Sequence, residues 1–332
     1  MNPVAVAGTA AREHTTTRSG CHRPRPSGKK ETREMKIGFI GLGNMGRHMA
    51  RHVLEGGHDL QVFDIDRAAG RPLEEGGAQW AGSPAEAARD AGIVFTSLPM
   101  PADVLEVAAG EGGALSGMSP DSVFVDLSTI DPVSAQRLDA AARARGVHAL
   151  DSPVSGGTVG ADAGTLCLMV GGERAAFDRV RPALELMGPA DRVIYCGAIG
   201  SGSACKLANN LVGLSTGVIL AEAFGMALKF GVDARTLYDV ISNSSGNSAT
   251  LASWGGSILA GNFTPGFMVD LAAKDLRLAT ELGRSQGVPM EAANLAEQVY
   301  IEAQRRGWGR EATPAIARVQ EERAGVEFRF PE

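Results

Sequence analysis

The sequence predicts an α/β fold, in which a doubly wound parallel sheet is followed by an all-α C-terminal domain. Over the first half of the chain, short apolar runs alternate with segments of helical periodicity, as in a parallel sheet covered by helices. Beyond residue 200 the strand-like runs stop, and long Ala- and Leu-rich stretches separated by Gly, Asn and Pro follow. The chain has 332 residues, of which 44% are hydrophobic, so it is long enough for two domains. We expect the sheet domain at residues 35–198 and the helical domain at 199–332.

The apolar pattern places the individual elements. Strands are predicted at 36–40, 60–63, 93–98, 123–127, 147–150, 166–170 and 193–196. Helices of the sheet domain are predicted directly after 36–40 and at 84–90, 131–145 and 173–187, several of which begin at a Ser, Asp or Pro suited to capping. Helices of the second domain are predicted at 203–230, 233–242, 269–286, 290–305 and 314–324. The helix 203–230 is long enough to run between the domains, and a cleft between domains favours a small-molecule site.

The turn after the first strand carries the strongest functional signal. Gly41, Gly43 and Gly46 have G-x-G-x-x-G spacing between a strand and a helix. The first glycine permits the tight turn, the second lets a pyrophosphate approach the backbone, and the third lets helix and strand pack closely. The helix N-terminus offers unpaired N–H groups to the phosphates. We therefore expect a Rossmann-type dinucleotide site formed by Gly41, Leu42, Gly43, Asn44, Met45 and Gly46.

The second strand ends close to an acidic residue that favours NAD. Asp64 lies 23 residues after Gly41, near the spacing of about 20 at which an acid hydrogen-bonds the adenosine ribose. Such an acid also repels a 2′-phosphate, so the sequence predicts NAD as the cofactor. Arg67 follows in the same turn and could serve that phosphate, which keeps NADP open as the alternative.

Three further segments place polar residues where a small molecule could bind. Ser155, Gly156 and Gly157 offer a hydroxyl and successive backbone N–H groups that can hold a carboxylate, unless the loop only joins two strands. Lys206 and Asn210 are four residues apart and share one face of the long helix. The Ser, Ala, Cys and Leu around Lys206 would partly desolvate it and lower its pKa toward values useful in proton transfer, although most lysines are simply solvated. On the helix 269–286, the adjacent Lys274 and Asp275 could form an exposed charge pair, and their spacing alone implies no function.

Composition argues against several other classes of protein. After residue 34 the chain carries 25 basic and 35 acidic side chains, whereas a nucleic-acid site needs a basic face. No run approaches the roughly 18 uninterrupted apolar residues of a membrane span, so no membrane association is expected. The four cysteines show neither a C-x-x-C pair nor metal-ligand spacing. We therefore expect no metal, and reduced thiols in a cytoplasmic protein.

The first 34 residues differ from the rest of the chain. They contain seven Arg and Lys against three Glu, and they are rich in Thr, Ser, Pro and Gly. Because they lack hydrophobic periodicity, we expect a disordered extension. Met35 stands directly before the first strand, which favours it as the biological start. The alternative is a transit peptide, which would imply a mitochondrial location.

Six segments, taken in order, resemble the β-hydroxyacid dehydrogenase family, and among its members the 3-hydroxyisobutyrate dehydrogenases. They are GFIGLGNMG, SLP at 97–99, DLSTIDP at 126–132, DSPVSGG, GSGSACKLANN and AKDLRLA. The likeness covers about residues 35–325. It implies an NAD(P)-dependent interconversion of a short 3-hydroxy acid and its semialdehyde, in a cleft between a Rossmann domain and a helical domain. It also implies a homodimer or homotetramer assembled through the helical domain.

The resemblance assigns a role to each matching position. Lys206 matches the catalytic lysine, which acts as general base in oxidation and general acid in reduction. Asn210 matches the asparagine that orients the substrate beside it. Ser155, Gly156 and Gly157 match the loop that binds the substrate carboxylate. The contacts to the nicotinamide and its ribose match Leu98, Pro99 and Thr129, and a lysine on the cofactor side matches Lys274, with Asp275 as its neighbour.

One segment departs from the pattern of the 3-hydroxyisobutyrate dehydrogenases. After Ser244-Ser245-Gly246 those enzymes continue with a cysteine and a tryptophan that wall the substrate pocket, whereas this chain has Asn-Ser-Ala-Thr at 247–250. We therefore expect a more polar pocket, and a tartronate semialdehyde reductase or a related polar 3-hydroxyacid dehydrogenase is the alternative function. A catalytically silent nucleotide-binding protein is the alternative of another class. The lysine at 206 argues against it, and also against an imine reductase.

Overall fold

Nine strands and thirteen α-helices build the described part of the chain, which in the computed structural model comprises residues 35–264 and 266–331. The predictions for residues 1–34 lie outside it. The strands are β1 Lys36–Ile40, β2 Asp59–Phe63, β3 Gln79–Trp80, β4 Ile93–Thr96, β5 Val123–Asp126, β6 His148–Asp151, β7 Val154–Ser155, β8 Cys167–Gly172 and β9 Val193–Gly197. The helices interleaved with them are α1 Gly46–Glu55, α2 Arg71–Glu75, α3 Pro84–Ala87, α4 Pro101–Ala109, α5 Pro132–Arg143, α6 Gly157–Ala163 and α7 Arg174–Leu184.

The chain after β9 is helical wherever it has regular structure. It contains α8 Ser201–Phe230, α9 Ala234–Ser242, α10 Ala249–Gly255, α11 Val269–Ser285, α12 Glu291–Arg305 and α13 Ala317–Ala324. The sequence did not predict the short elements β3, β7, α2, α4, α6 and α10. Apart from these, each predicted strand and helix is present with its bounds shifted by a few residues.

The first six strands form the parallel part of the sheet. Their order is β3-β2-β1-β4-β5-β6, with parallel pairing throughout. This is the Rossmann order, in which ligands bind outside the carboxyl ends of β1 and β4, where the strand order reverses. The predicted fold class, a doubly wound sheet followed by a helical region, is therefore confirmed.

The far edge of the sheet differs from the prediction, because the sheet is mixed there. Strand β8 runs antiparallel to both β6 and β7, and β9 then pairs with β8 in parallel. The connection from β7 to β8 has only eleven residues, 156–166, of which seven form α6, and this is too short for the crossover that a parallel neighbour requires. The chain therefore returns in the opposite direction.

Apolar side chains cover both faces of the sheet, as expected for a doubly wound fold. On β1, Phe39 belongs to the cluster on one face and Ile40 to the cluster on the other. On β5, Val125 and Phe124 divide in the same way, because successive side chains of a strand point to opposite faces. This packing fixes the strand ends from which the functional residues project.

The long helix α8 connects the sheet with the helical region. Its first turn is anchored to β6, because Asp151 accepts hydrogen bonds from the backbone N–H groups of Gly200 (2.8 Å) and Ser203 (2.6 Å). Further along, Leu214 and Phe224 are buried among α10, α11, α12 and α13. By length and mean hydropathy alone α8 could cross a membrane, although polar residues interrupt its apolar run, as the sequence indicated. Its buried residues instead pack inside this chain.

Candidate active site

A cavity of about 470 Å³ opens where the carboxyl ends of β1, β4 and β5 meet α8 and α11. Most of the predicted site residues line it: Gly43, Asn44, Met45, Gly46, Leu98, Pro99, Thr129, Ser155, Gly156, Gly157, Lys206, Asn210 and Lys274. Gly41, Leu42 and Asp64 lie outside the lining. Residues from six distant segments of the sequence thus meet in one cleft.

The glycine turn has the shape that a dinucleotide requires. A Cβ on Gly41 would lie 2.3 Å from the carbonyl oxygen of Ser97, and a Cβ on Gly46 would lie 1.9 Å from that of Gly41. These two glycines are needed by the packing of the chain itself. A Cβ on Gly43, in contrast, would meet no atom within 4 Å. The open surface at Gly43 faces the start of α1, which no side chain caps, so the residues present fit a bound pyrophosphate.

Asp64 holds the glycine turn in place. Its carboxylate accepts hydrogen bonds from the backbone N–H groups of Leu42 (2.6 Å) and Asp66 (2.8 Å). The sequence predicted a ribose-binding acid at this position but not its bond to the turn. Loss of the carboxylate should therefore loosen the phosphate site as well as the ribose site.

A buried acid organises the loops after β4 and β5. Asp126, the last residue of β5, accepts hydrogen bonds from Thr96 Oγ1 (2.8 Å) and from the backbone N–H of Ser128 (3.1 Å). The hydroxyl of Ser128 in turn accepts a bond from the N–H of Leu98 (2.8 Å). Burial raises the pKa of Asp126 to about 6. This network ties together the loops after β4 and β5, which carry the predicted cofactor contacts.

The loop after β6 combines a hydroxyl with an unusual backbone. Ser155 ends β7, and Gly156 and Gly157 follow with φ values of 138° and 63°, which glycine adopts without strain. A Cβ on Gly157 would meet no atom within 4 Å. The loop therefore presents unhindered backbone to the cleft, as a carboxylate-binding loop should.

Lys274 and Asp275 form a buried pair, so the expectation that they are exposed was wrong. Lys274 Nζ donates hydrogen bonds to the carbonyl oxygens of Pro99 (3.2 Å) and Thr129 (2.7 Å) and forms an ion pair with Asp275 Oδ1 at 3.1 Å. Asp275 Oδ2 accepts a hydrogen bond from Asn210 Nδ2 at 2.6 Å. The pair therefore joins α11 to α8 and to both loops of the sheet domain.

Lys206 has different surroundings. Only 8% of the residue is exposed, and within the part of the chain that the structure describes it makes no hydrogen bond or ion pair. Burial lowers the pKa of Lys206, the charge of Lys274 lowers it further, and Asp275 acts in the opposite direction. A buried amine with a lowered pKa and no partner among these residues is available for proton transfer.

The segment 247–250 does not contribute to the cavity in this single chain. Thr250 instead donates a hydrogen bond from Oγ1 to a backbone oxygen of α8 at 3.1 Å. The cavity wall before and at the start of α11 is formed by Phe267, Met268 and Leu271. This wall is largely apolar, contrary to the expectation of a more polar pocket.

Sequence reasoning missed the structural roles of three acids that hold the site together, namely Asp126, Asp151 and Asp275. A signal existed for two of them, because Asp126 and Asp151 each end a buried apolar strand. A charge at such a position needs partners. No local pattern showed that Asp275 is buried.

The described cysteines and acids form no metal centre. Cys167, Cys196 and Cys205 are free thiols, and Cys21 lies outside the described residues. Among residues 35–264 and 266–331, no group of three or more His, Cys, Asp or Glu is placed to hold a metal ion.

Two family models match consecutive parts of the chain. The NAD-binding domain of 6-phosphogluconate dehydrogenase matches residues 36–199. The model described as the NAD-binding domain of NADP-dependent 3-hydroxyisobutyrate dehydrogenase matches residues 200–320. Together they cover both the sheet and the helical region.

Individual relatives agree with these matches. The 2-(hydroxymethyl)glutarate dehydrogenase of Eubacterium barkeri is 38% identical over 89% of this chain and 97% of its own length. A probable mitochondrial 3-hydroxyisobutyrate dehydrogenase of Dictyostelium discoideum is 39% identical over 80% of this chain and 84% of its own. The solved structure of Mycobacterium tuberculosis 3-hydroxyisobutyrate dehydrogenase with L-serine superposes with a TM-score of 0.77, at 33% identity over 86% of this chain and 99% of that one. The chain therefore belongs to the 3-hydroxyisobutyrate dehydrogenase, or β-hydroxyacid dehydrogenase, family of NAD(P)-dependent oxidoreductases.

Proposed function

We propose that the protein is an NAD-dependent dehydrogenase that interconverts a short 3-hydroxy acid bearing one carboxylate and its semialdehyde, as a 3-hydroxyisobutyrate dehydrogenase does. The observation that carries the proposal is the buried amine of Lys206. It lies in the same cavity as the open glycine turn and the Ser155–Gly157 loop, so one pocket contains a cofactor cradle, a carboxylate-binding loop and a base.

The roles of the residues follow from their surroundings. A bound nicotinamide supplies hydride acceptance in oxidation and hydride donation in reduction. Neutral Lys206 takes the proton of the substrate hydroxyl during oxidation, and charged Lys206 returns it during reduction. Asn210, fixed by its bond to Asp275, orients the substrate beside the amine. The loop at 155–157 holds the substrate carboxylate and so keeps the hydroxyl near Lys206.

The lining of the cavity favours a substrate with one carboxylate and an alkyl substituent. Phe267, Met268 and Leu271 provide an apolar wall. Of the two lysines in the lining, Lys274 already binds two carbonyl oxygens and Asp275, so a second carboxylate on the substrate would lack a free cation among the described residues. These observations favour 3-hydroxyisobutyrate over a dicarboxylate such as the substrate named for the Eubacterium barkeri relative.

The acid at the end of β2 supports NAD as the preferred cofactor. A carboxylate there accepts hydrogen bonds from ribose hydroxyls and repels a 2′-phosphate. We expect kcat/KM to favour NAD over NADP by at least about tenfold, which corresponds to ~1.4 kcal/mol.

A substrate panel tests the proposal. 3-Hydroxyisobutyrate, L-serine, glycerate and 2-(hydroxymethyl)glutarate are each assayed for NADH and for NADPH formation, with wild-type protein and with Lys206→Met. We expect the highest kcat/KM with 3-hydroxyisobutyrate and NAD. Preference for glycerate, the reduced partner of tartronate semialdehyde, would support the polar alternative. Turnover with no acid, together with tight NADH binding, would instead support a silent nucleotide-binding protein.

A further inference from the structure

We propose that Glu74 helps determine cofactor selectivity, because it clamps Arg67, the guanidinium nearest in sequence to Asp64, in a pair that keeps it from a 2′-phosphate. This inference rests on the proposed function as an NAD-dependent enzyme, and it assigns part of the NAD preference to a residue outside the cavity.

Arg67 follows Asp64 by three residues and begins the 3₁₀ turn Arg67–Gly70. Its two terminal nitrogens donate to the two carboxylate oxygens of Glu74, at 2.5 Å and 2.8 Å. This is the bidentate arrangement in which guanidinium and carboxylate geometries match. A phosphate that approached this edge of the guanidinium would use the same two nitrogens, so Glu74 competes with a 2′-phosphate for them.

A fixed aromatic ring supports the clamp. The guanidinium carbon of Arg67 lies 4.3 Å from the centroid of the Trp80 ring, within the range of a cation–π contact. Trp80 pairs with β2 through Val62, and a Cβ on Gly70 would lie 2.5 Å from its ring. The turn therefore packs directly on the ring. Glu74 holds the terminal nitrogens of Arg67, and the Trp80 ring contacts the flat face of its guanidinium.

An acid such as Asp64 and an arginine such as Arg67 have opposite preferences at the adenosine ribose. A carboxylate favours the free 2′-hydroxyl, and an arginine accommodates a 2′-phosphate. While Arg67 is paired with Glu74, it does not offset the repulsion between the Asp64 carboxylate and a 2′-phosphate. If Glu74 loses its charge, Arg67 becomes available to the phosphate, but the gain should be small while Asp64 remains charged.

A double-mutant cycle measured by binding tests this idea. NADH and NADPH affinities are measured by fluorescence titration for wild type, Asp64→Asn, Glu74→Gln and the double variant. Asparagine at position 64 keeps one oxygen for the N–H of Leu42 and gives up only the bond from the N–H of Asp66, so the glycine turn retains its direct tie. Glu75→Gln is the matched control, because Glu75 is the adjacent acid on α2 and is exposed. The Arg67–Glu74 pair is itself solvent-accessible, and pairs of that kind contribute little to stability, so these variants should fold.

We expect Glu74→Gln to tighten NADPH binding about fivefold in the Asp64→Asn background, the upper end of what a solvent-accessible ion pair contributes. In the same background Glu75→Gln should change it less than about twofold, as expected for a screened surface charge. Adding Arg67→Ala to the double variant should abolish the gain. Equal effects of Glu74→Gln and Glu75→Gln, or a gain that survives Arg67→Ala, would overturn the clamp. Failure of the wild type to bind NADH would overturn the proposed function instead.

Discussion

The two lysines of the cleft lie on different helices and have opposite surroundings. Lys274, on α11, donates to two carbonyl oxygens and pairs with Asp275. Lys206, on α8, is equally buried but forms none of these contacts with the described residues. A buried cation that has all its partners serves structure, whereas one without partners shifts its pKa and becomes reactive. The difference between the lysines supports the proposal that α8 carries the chemistry and α11 aligns the cleft.

The largest effect should come from the unpaired lysine. Lys206→Met keeps the length of the side chain and removes the amine, so kcat should fall by about 10²–10⁴-fold, as expected for loss of a general acid–base group, with NADH affinity little changed. Steady-state kinetics and NADH titration measure both quantities. The control is Lys229→Met near the other end of α8, where an exposed lysine donates a hydrogen bond to the backbone oxygen of Ala324. Turnover near that of wild type in Lys206→Met would show that another group moves the proton.

Replacement of the paired lysine should affect stability first. Lys274→Met leaves two carbonyl oxygens and the buried Asp275 without their donor, so the free energy of unfolding should fall by about 3 kcal/mol, the lower end of the range for a broken buried pair. The NAD KM should rise as well, because the loops after β4 and β5 lose their tie to α11. Denaturant unfolding followed by circular dichroism measures the first effect. Arg277→Met, on an exposed part of the same helix, should lower stability by less than about 0.5 kcal/mol.

The pH dependence of the rate should have opposite signs for oxidation and for reduction. Oxidation needs neutral Lys206, so its kcat should rise with pH through the pKa of this residue, and reduction should fall over the same interval. Burial lowers the pKa of Lys206 and Asp275 opposes the shift, so the midpoint should lie below the ordinary value for lysine. Asp275→Asn should move the midpoint to still lower pH. A midpoint that rises in Asp275→Asn, or stays in place, would contradict the role given to Lys206.

The sequence predicted the parts of the site that depend on local order. Gly41, Gly46 and Asp64 could be predicted because a strand, a turn and a helix follow each other directly in the chain. Lys206 and Asn210 could be paired because helical spacing puts them on one face. These residues do line or support the cleft, although their catalytic roles remain predictions.

The rest of the site depends on contacts that leave no local pattern. Lys274 meets Thr129 and Pro99 across 145 and 175 residues of sequence, and Asp275 meets Asn210 across 65. Because only the packing of α11 against α8 and the sheet domain creates these contacts, the sequence indicated an exposed charge pair. The antiparallel turn at β8 was missed for a related reason, since the length of α6 decides it and α6 is too short to show periodicity.

The smallest expected effect on chemistry concerns a row of exposed apolar side chains along α8. Val212, Ile219 and Met226 recur every seven residues and are 68%, 63% and 73% exposed, the spacing with which one helix packs along another. We propose that a second copy of this chain covers this face in a homodimer or homotetramer. Light scattering should give a multiple of the 34.5 kDa chain, and Ile219→Glu should reduce the mass to that of a monomer, whereas Glu222→Gln on the same helix should not. A wild-type protein that is monomeric at working concentration would contradict the proposal.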